Sequence, residues 1–312
     1  MPDATAPEFT NPNLPTSTDI LITPRTQATL TDFSNFWDDR IGIQNLPSIH
    51  PDRNQALWGD IVNHFLTGSD RYSSEERVAL LDRYKEEYGI FKAEMEGLEN
   101  VDFIEPSEEE KAKPNNFSFL LLNGFQERQN TDDIGKIYLN FDPNKQLGLM
   151  KGIVDKLCQS QIPCSIKTGY ARSMNAGYFA NTDRVVMHFA PDQQEVVAKC
   201  LREFYQENAT QFVHDVPRMA TNLVDANGFV MEGIAFAEEP KEKNSLSGKK
   251  LSFNQHRGQL LMDTLLASRH IPKTERDQHF INYCMSYGVD PKNPAFNQES
   301  DFMQMREYVS EK

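Results

Sequence analysis

The residues whose types and spacing most suggest chemistry form one block, Leu251-Ser252-Phe253-Asn254-Gln255-His256-Arg257. Ser252 followed three residues later by Gln255 is a capping-box pattern, which predicts a helix opening there after a Gly-, Ser- and Lys-rich loop. The free N–H groups and positive dipole end of that helix should lie beside His256 and Arg257, and together these can hold an anion. The same block also reads as an ordinary cap followed by two solvated polar side chains. Arg257 sits at the wrong end of the helix for a cation, so a nearby anion would account for it, and a partly exposed position is expected.

The elements that must carry such a site belong to a chain of 312 residues, long enough for one large domain or two ordinary ones. A formal net charge of -14 argues against binding a phosphate backbone over a broad surface and leaves local basic pockets for any anionic ligand. Nucleic acid is therefore not expected as a partner. Cys158, Cys164, Cys200 and Cys284 show no C-x-x-C spacing and read as reduced, mostly buried thiols, with no metal site and no disulfide framework. No apolar run approaches the roughly 18 residues of a membrane span, and the first 30 residues lack a signal-peptide stretch. No membrane partner and no cleaved export signal are expected.

Residues 1–27, rich in Pro, Thr, Ser, Asn and Ala, read as a disordered leader that can serve as a secretion signal. Residues 28–115 read as a helical region ending in an acidic linker. Within it, helices are expected at about 29–40, 54–67 (Leu57, Ile61 and Phe65 on one face) and 74–98. The last starts at Ser73-Ser74-Glu75-Glu76 and carries Val78, Leu81, Tyr84, Tyr88, Phe91, Met95 and Leu98 at helical spacing. This stripe reads as core or as a face left partly uncovered for a partner, with a small secretion chaperone the expected occupant. Residues 100–116 read as the linker, containing Glu108-Glu109-Glu110 and Pro114.

Residues 116–312 read as an α+β domain with a C-terminal helical tail. Strands are expected at 116–122, 136–141, 164–170, 183–190 and about 228–238. Helices are expected at about 145–159 and after Asp192, which with Glu195 reads as a second cap. The order strand, helix, strand, strand, helix, strand predicts a split βαβ-like antiparallel or mixed sheet covered by helices on one face.

The ordered motifs of this region resemble a known family. They are Gly135-Lys136-Ile137-Tyr138-Leu139-Asn140, Lys167 on a strand, Asn181-Thr182-Asp183-Arg184-Val185-Val186-Met187-His188, a Pro217 loop, Gly228 to Glu238, and Ser252 to Arg257 running into Met262-Asp263-Thr264-Leu265. Over roughly residues 130–298 this succession resembles the HopA effector family, also called HopPsyA, which plant-associated bacteria deliver into host cells by type III secretion. The segment Tyr287 to Phe296 resembles the effector branch in particular. Through its other branch the family is similar to stand-alone lyases that eliminate phosphate from phosphoserine and phosphothreonine in lanthipeptide pathways.

The resemblance implies a concrete chemistry that needs no cofactor and no metal. Elimination requires a base for the α-proton, a group to carry off phosphate, and donors for the developing charge. Lys167 then fits the base and Lys136 the phosphate clamp. Arg257 fits bidentate phosphate binding and His256 the general acid, while Tyr138 and Asp183 orient them. The lyase branch carries an arginine two residues before the aspartate matching Asp183; here that place is Asn181, a neutral amide that still donates hydrogen bonds. Arg172 or Arg184 would have to supply the missing charge. The implied function is that of an effector in the host cytoplasm acting on a phosphorylated protein. The alternatives are a phosphopeptide lyase that stays in the producing bacterial cytoplasm and a non-enzymatic effector binding a host immune regulator.

Overall fold

The computed structural model describes residues 71–111, 116–125, 133–241, 251–268 and 271–310, with individual residues between Gln27 and Phe65. The expected leader, and most of the expected helices at 29–40 and 54–67, lie outside the described residues. Of the latter, Leu30, Phe36, Ile61 and Phe65 are buried.

Helix α1 (Ser74–Glu96) opens with the full reciprocal capping box, Ser73 Oγ accepting from Glu76 N and the Glu76 carboxylate accepting from Ser73 N. Its stripe faces its own sheet. Leu81, Tyr84, Tyr88, Phe91 and Met95 are buried in the main core, and the tyrosine hydroxyls bond to Gly169 O (2.7 Å) and Ser118 Oγ (2.6 Å). That corrects the expectation of an uncovered face awaiting a partner, because the stripe is consumed within the chain; among its members only Val78 stands exposed as a large apolar side chain. The stretch read as an acidic linker holds strand β1 (Val101–Ile104) and a single helical turn, α2 (Glu108–Lys111).

Then follow β2 (Phe117–Leu122), β3 (Gly135–Leu139), α3 (Gln146–Gln159), β4 (Cys164–Gly169), β5 (Val186–Phe189), α4 (Gln194–Asn208), β6 (Thr221–Val224), β7 (Val230–Glu238), α5 (Phe253–Ala267) and α6 (Lys273–Ser286). The cap expected from Asp192 and Glu195 does not form. Pro191 opens a 3₁₀ turn that takes in Asp192, and α4 starts after Gln193 without a side-chain cap.

The seven strands make one sheet in the order β1-β2-β4-β5-β3-β7-β6, with every neighbouring pair antiparallel. Strands β3 and β4 therefore run parallel with β5 between them, and β5 and β7 run parallel with β3 between them. The first, β3-α3-β4, is a split βαβ unit of the kind the element order predicts, whereas β6 stands in the chain between α4 and β7.

The expectation of helices on one face is corrected. Helices α1, α3 and α4 pack on Leu120, Ile137, Leu139, Ile166, Met187, Phe189 and Phe236. Helices α5 and α6 pack on the opposite face, over Tyr138, Val186, Ala235 and Ala237, through Phe253, Leu260, Leu261, Leu265 and Phe280. The reason is in β7, where Ile234 and Phe236 fill the first face and the small Ala235 and Ala237 let α5 approach the second. A strand buried on both sides reads as a continuous apolar run. All four cysteines are free, and three are buried.

Candidate functional site

On the α5 side of the sheet, strand register aligns two rows of side chains. One row runs Ile104, Phe119, Lys167, Val186, Tyr138, Ala235, and the next runs Asp102, Leu121, Ser165, His188, Lys136, Ala237. Lys167 on β4 and Lys136 on β3 thus share a face across β5, with His188 beside Lys136 and between it and Ser165. Lysines on alternating polar positions reach the same side because successive side chains on a strand point oppositely.

Burial lowers the Lys167 pKa to about 8; Asp183 and Glu239 oppose the shift and Lys136 adds to it. Its Nζ lies 3.6 Å from the centre of the Phe117 ring, a cation–π contact. Lys136 forms an ion pair with Glu239, and both side chains are nearly buried. Burial, Lys136 and Lys167 hold the His188 imidazole well below its ordinary pKa, so it is neutral near pH 7. Its Nδ1 lies 3.3 Å from Ser165 Oγ.

The two residues expected to orient the site are linked by Asn254, in the first turn of α5. Tyr138 OH donates to Asn254 Oδ1 (3.2 Å), and Asn254 Nδ2 donates to Asp183 Oδ2 (3.3 Å). Burial, Glu239 and Asp183 push the Tyr138 hydroxyl well above its ordinary pKa, so it remains a donor. The capping box at the start of α5 is complete: Ser252 N donates to Gln255 Oε1 and Gln255 N donates to Ser252 Oγ.

Arg257 and His256 differ from the sequence reading. Arg257 is fully buried, not partly exposed. Its Nε donates to Pro294 O (2.8 Å), and Nη2 donates to Phe296 O (3.2 Å) and Asn297 Oδ1 (3.3 Å), so these donors clamp the segment 294–297. Burial lowers its pKa to about 10, with Cys284, Glu238, Glu239 and Tyr138 opposing. A guanidinium only donates, so the 2.6 Å contact with His256 Nδ1 places the His256 proton on Nε2. Burial and Arg257 lower the His256 pKa to about 3, so the imidazole expected as general acid is neutral near pH 7.

Arg184, offered as a substitute cation, is also buried. It donates to Gln146 Oε1, Asn181 O, Asn140 Oδ1 and Phe141 O. Asn181 is half-buried and holds Arg184 through its main-chain carbonyl, whereas Arg172 is exposed in the turn after β4.

The structure thus brings together Lys136, Lys167, Tyr138 and Asp183 from the expected set, and adds Ser165, His188, Glu239 and Asn254. The period of two in Val186-Met187-His188 was a signal for His188, since it places that residue on the face of Val186. Among the described residues no group of three or more His, Cys, Asp or Glu side chains is placed to hold a metal ion, and no helix is long and apolar enough to cross a membrane. Two lysines, one of lowered basicity, with a neutral imidazole between them in the sheet, can hold an oxyanion and accept a proton near neutral pH.

Two solved structures share the fold. The effector protein from Pseudomonas syringae pv. tomato strain DC3000 is 16% identical with a TM-score of 0.57, over 88% of this chain and 98% of that one. The effector protein from Pseudomonas syringae pv. syringae strain 61 is 14% identical with a TM-score of 0.55, over 89% of this chain and 99% of that one. No curated protein matches the sequence. The family model of the HopA1 effector protein family matches residues 111–296, from the one-turn α2 through the segment that Arg257 clamps. The chain belongs to the HopA1 effector protein family.

Proposed function

We propose that this effector acts inside the host cell, after type III secretion, as a lyase that eliminates phosphate from phosphothreonine or phosphoserine in a host protein. The observation that carries the reading is Lys167, whose pKa is lowered to about 8 on the same sheet face as a second lysine, Lys136. A lysine with an ordinary pKa is almost wholly protonated at pH 7, whereas one at about 8 is free base in roughly a tenth of molecules.

In the proposed step the neutral Lys167 amine takes the α-proton, and the electron pair of that C–H bond becomes the Cα=Cβ double bond. The Cβ–O bond breaks, and phosphate leaves with the bonding pair and takes a proton from the Lys136 ammonium. Lys167 ends protonated and Lys136 neutral, and exchange with solvent resets both. Before substrate binds, Glu239 holds Lys136 in place, and the phosphate dianion competes with that carboxylate. His188 and Ser165 supply neutral polar contacts beside the clamp.

The test is incubation with phosphothreonine and phosphoserine peptides followed by mass spectrometry. A loss of about 98 Da, phosphoric acid, supports elimination, and its absence with Lys167→Ala ties it to this site. A loss of about 80 Da would mean hydrolysis, and no loss across a broad peptide panel would remove the lyase reading.

A further inference from the structure

Glu239 lies one residue past the end of β7, and alternation from Ala235 and Ala237 puts its side chain on the α5 face of the sheet, beside Lys136. One carboxylate oxygen, Oε1, meets the Lys136 ammonium. The other, Oε2, is buried and has no hydrogen-bond partner among the described residues. The carboxylate is held from its main chain: Glu239 N donates to Ile134 O (2.8 Å), and Asn297 Nδ2, in the segment that Arg257 clamps, donates to Glu239 O (2.8 Å). Glu239 and Asp183 both act on Lys167, so the site holds two lysines and two carboxylates whose charges nearly cancel. Net charge therefore does not select the ligand here; the pattern of donors and acceptors does.

We infer that Glu239 is a substrate-binding residue, whose Oε2 accepts the main-chain N–H of the phosphorylated residue while the phosphate takes the Lys136 ammonium. The inference rests on the phosphate-binding reading of the lysines and adds the substrate class: a phosphorylated residue inside a peptide, not a phosphate ester that lacks an adjacent N–H. A carboxylate paired with an ammonium only accepts, so nothing but a donor satisfies Oε2. Phosphate makes that donor more necessary. As it draws the ammonium away, a carboxylate on a residue only 9% exposed loses its cation, and a buried charge left without a partner is costly. A ligand that brings phosphate alone leaves that cost standing. A peptide removes it, because the N–H sits on the same carbon that bears the α-proton. The contact also ties the reacting carbon to the sheet on which Lys167 stands.

The test uses the full chain and labelled peptides in which a methylene replaces the bridging phosphate oxygen, so that fluorescence anisotropy reads binding without elimination. In one peptide an ester oxygen replaces the N–H of the phosphono-residue; in a control the same replacement lies about three residues away. The first ester should bind about tenfold weaker than the all-amide peptide, or more, and the control within about twofold of it. Glu239→Ala should bind the first ester and the amide equally, because the acceptor is gone. Glu239→Gln keeps the side-chain shape and serves if the alanine variant fails to fold; it should narrow the difference, since the acceptor loses its charge. Equal affinity of the parent protein for amide and first ester would overturn the inference. So would a tenfold difference that both variants preserve, since another group would then take the N–H. Binding that Lys136→Met abolishes but the ester leaves unchanged would remove only the Glu239 contact, whereas no binding of any peptide would remove the phosphate-binding reading with it. Ester-sensitive, Glu239-dependent binding without phosphate loss from the natural phosphopeptide would leave the contact standing and remove only the lyase.

Discussion

Arg257→Ala separates a structural from a phosphate-binding arginine. In the structure the guanidinium is fully buried and gives three hydrogen bonds to Pro294 O, Phe296 O and Asn297 Oδ1. Alanine leaves Pro294 O, Asn297 Oδ1 and His256 Nδ1 without a donor, at about 1 to 3 kcal/mol each, or about 6 kcal/mol in all, while Phe296 O keeps the Asp290 N–H. Offsetting this, a pKa lowered from 12.5 to about 10 means the buried charge itself costs about 3 kcal/mol, which alanine relieves. The net expectation is a loss of about 3 kcal/mol, or roughly 6 to 12 °C in Tm for a domain of this size. Urea unfolding monitored by circular dichroism, with a thermal scan alongside, measures it. A loss below about 1 kcal/mol, together with weakened binding of inorganic phosphate, would refute the reasoning and return Arg257 to the anion site.

Three further outcomes follow from the same geometry. If Lys167 is the base, the elimination rate should climb tenfold per pH unit below about 8 and level above it; a rate independent of pH from 6 to 9 would exclude it. The neighbours set that midpoint, so Asp183→Asn should move it down and Lys136→Met should move it up, read as pKa by NMR of isotopically labelled lysine even without turnover; no movement in either variant would contradict the assigned couplings. Gly233 has φ +77° and a Cβ there would lie 2.5 Å from Val213 O, so Gly233→Ala should cost about 2 to 5 kcal/mol in urea unfolding, and a neutral effect would mean the β7 backbone relaxes freely.

The sign of the Lys167 effect on stability follows from its depressed pKa. Between about 8 and the ordinary value of 10.5 the unfolded chain holds the proton and the folded chain does not, so this residue makes stability rise with pH in that window and contributes no rise below it.

Much of the fold is legible locally, and what is not legible is non-local. Local patterning locates β2, β3, β4, β5 and β7, and Ser73 with Glu76 locates the start of α1, because each signal lies within a few residues of its effect. Strand β1 escapes because only four residues, Val101 to Ile104, form it, beside the acidic run Glu108 to Glu110. Strand β6 is equally short and is defined by pairing with β7. Periodicity shows that α1 has an apolar stripe, and only the sheet packed against it shows that the stripe is already covered.

The candidate site divides along the same line. Alternation alone puts Lys136 and Lys167 on the polar sides of their strands, but their meeting depends on β5 lying between β3 and β4, a consequence of strand order rather than of either segment. His188 enters by that same insertion. Arg257 shows the opposite dependence. The capping box is visible within a few residues, but nothing within the helix satisfies an arginine in its first turn. The satisfying acceptors lie 37 to 40 residues further along, in the segment 294–297. A buried cation at a helix start therefore marks a long-range main-chain contact as readily as an anion site, and what separates them is whether its donors are already taken. By that criterion Lys167, whose ammonium rests on the Phe117 ring and has no carboxylate paired to it among the described residues, is the side chain we propose acts on a substrate.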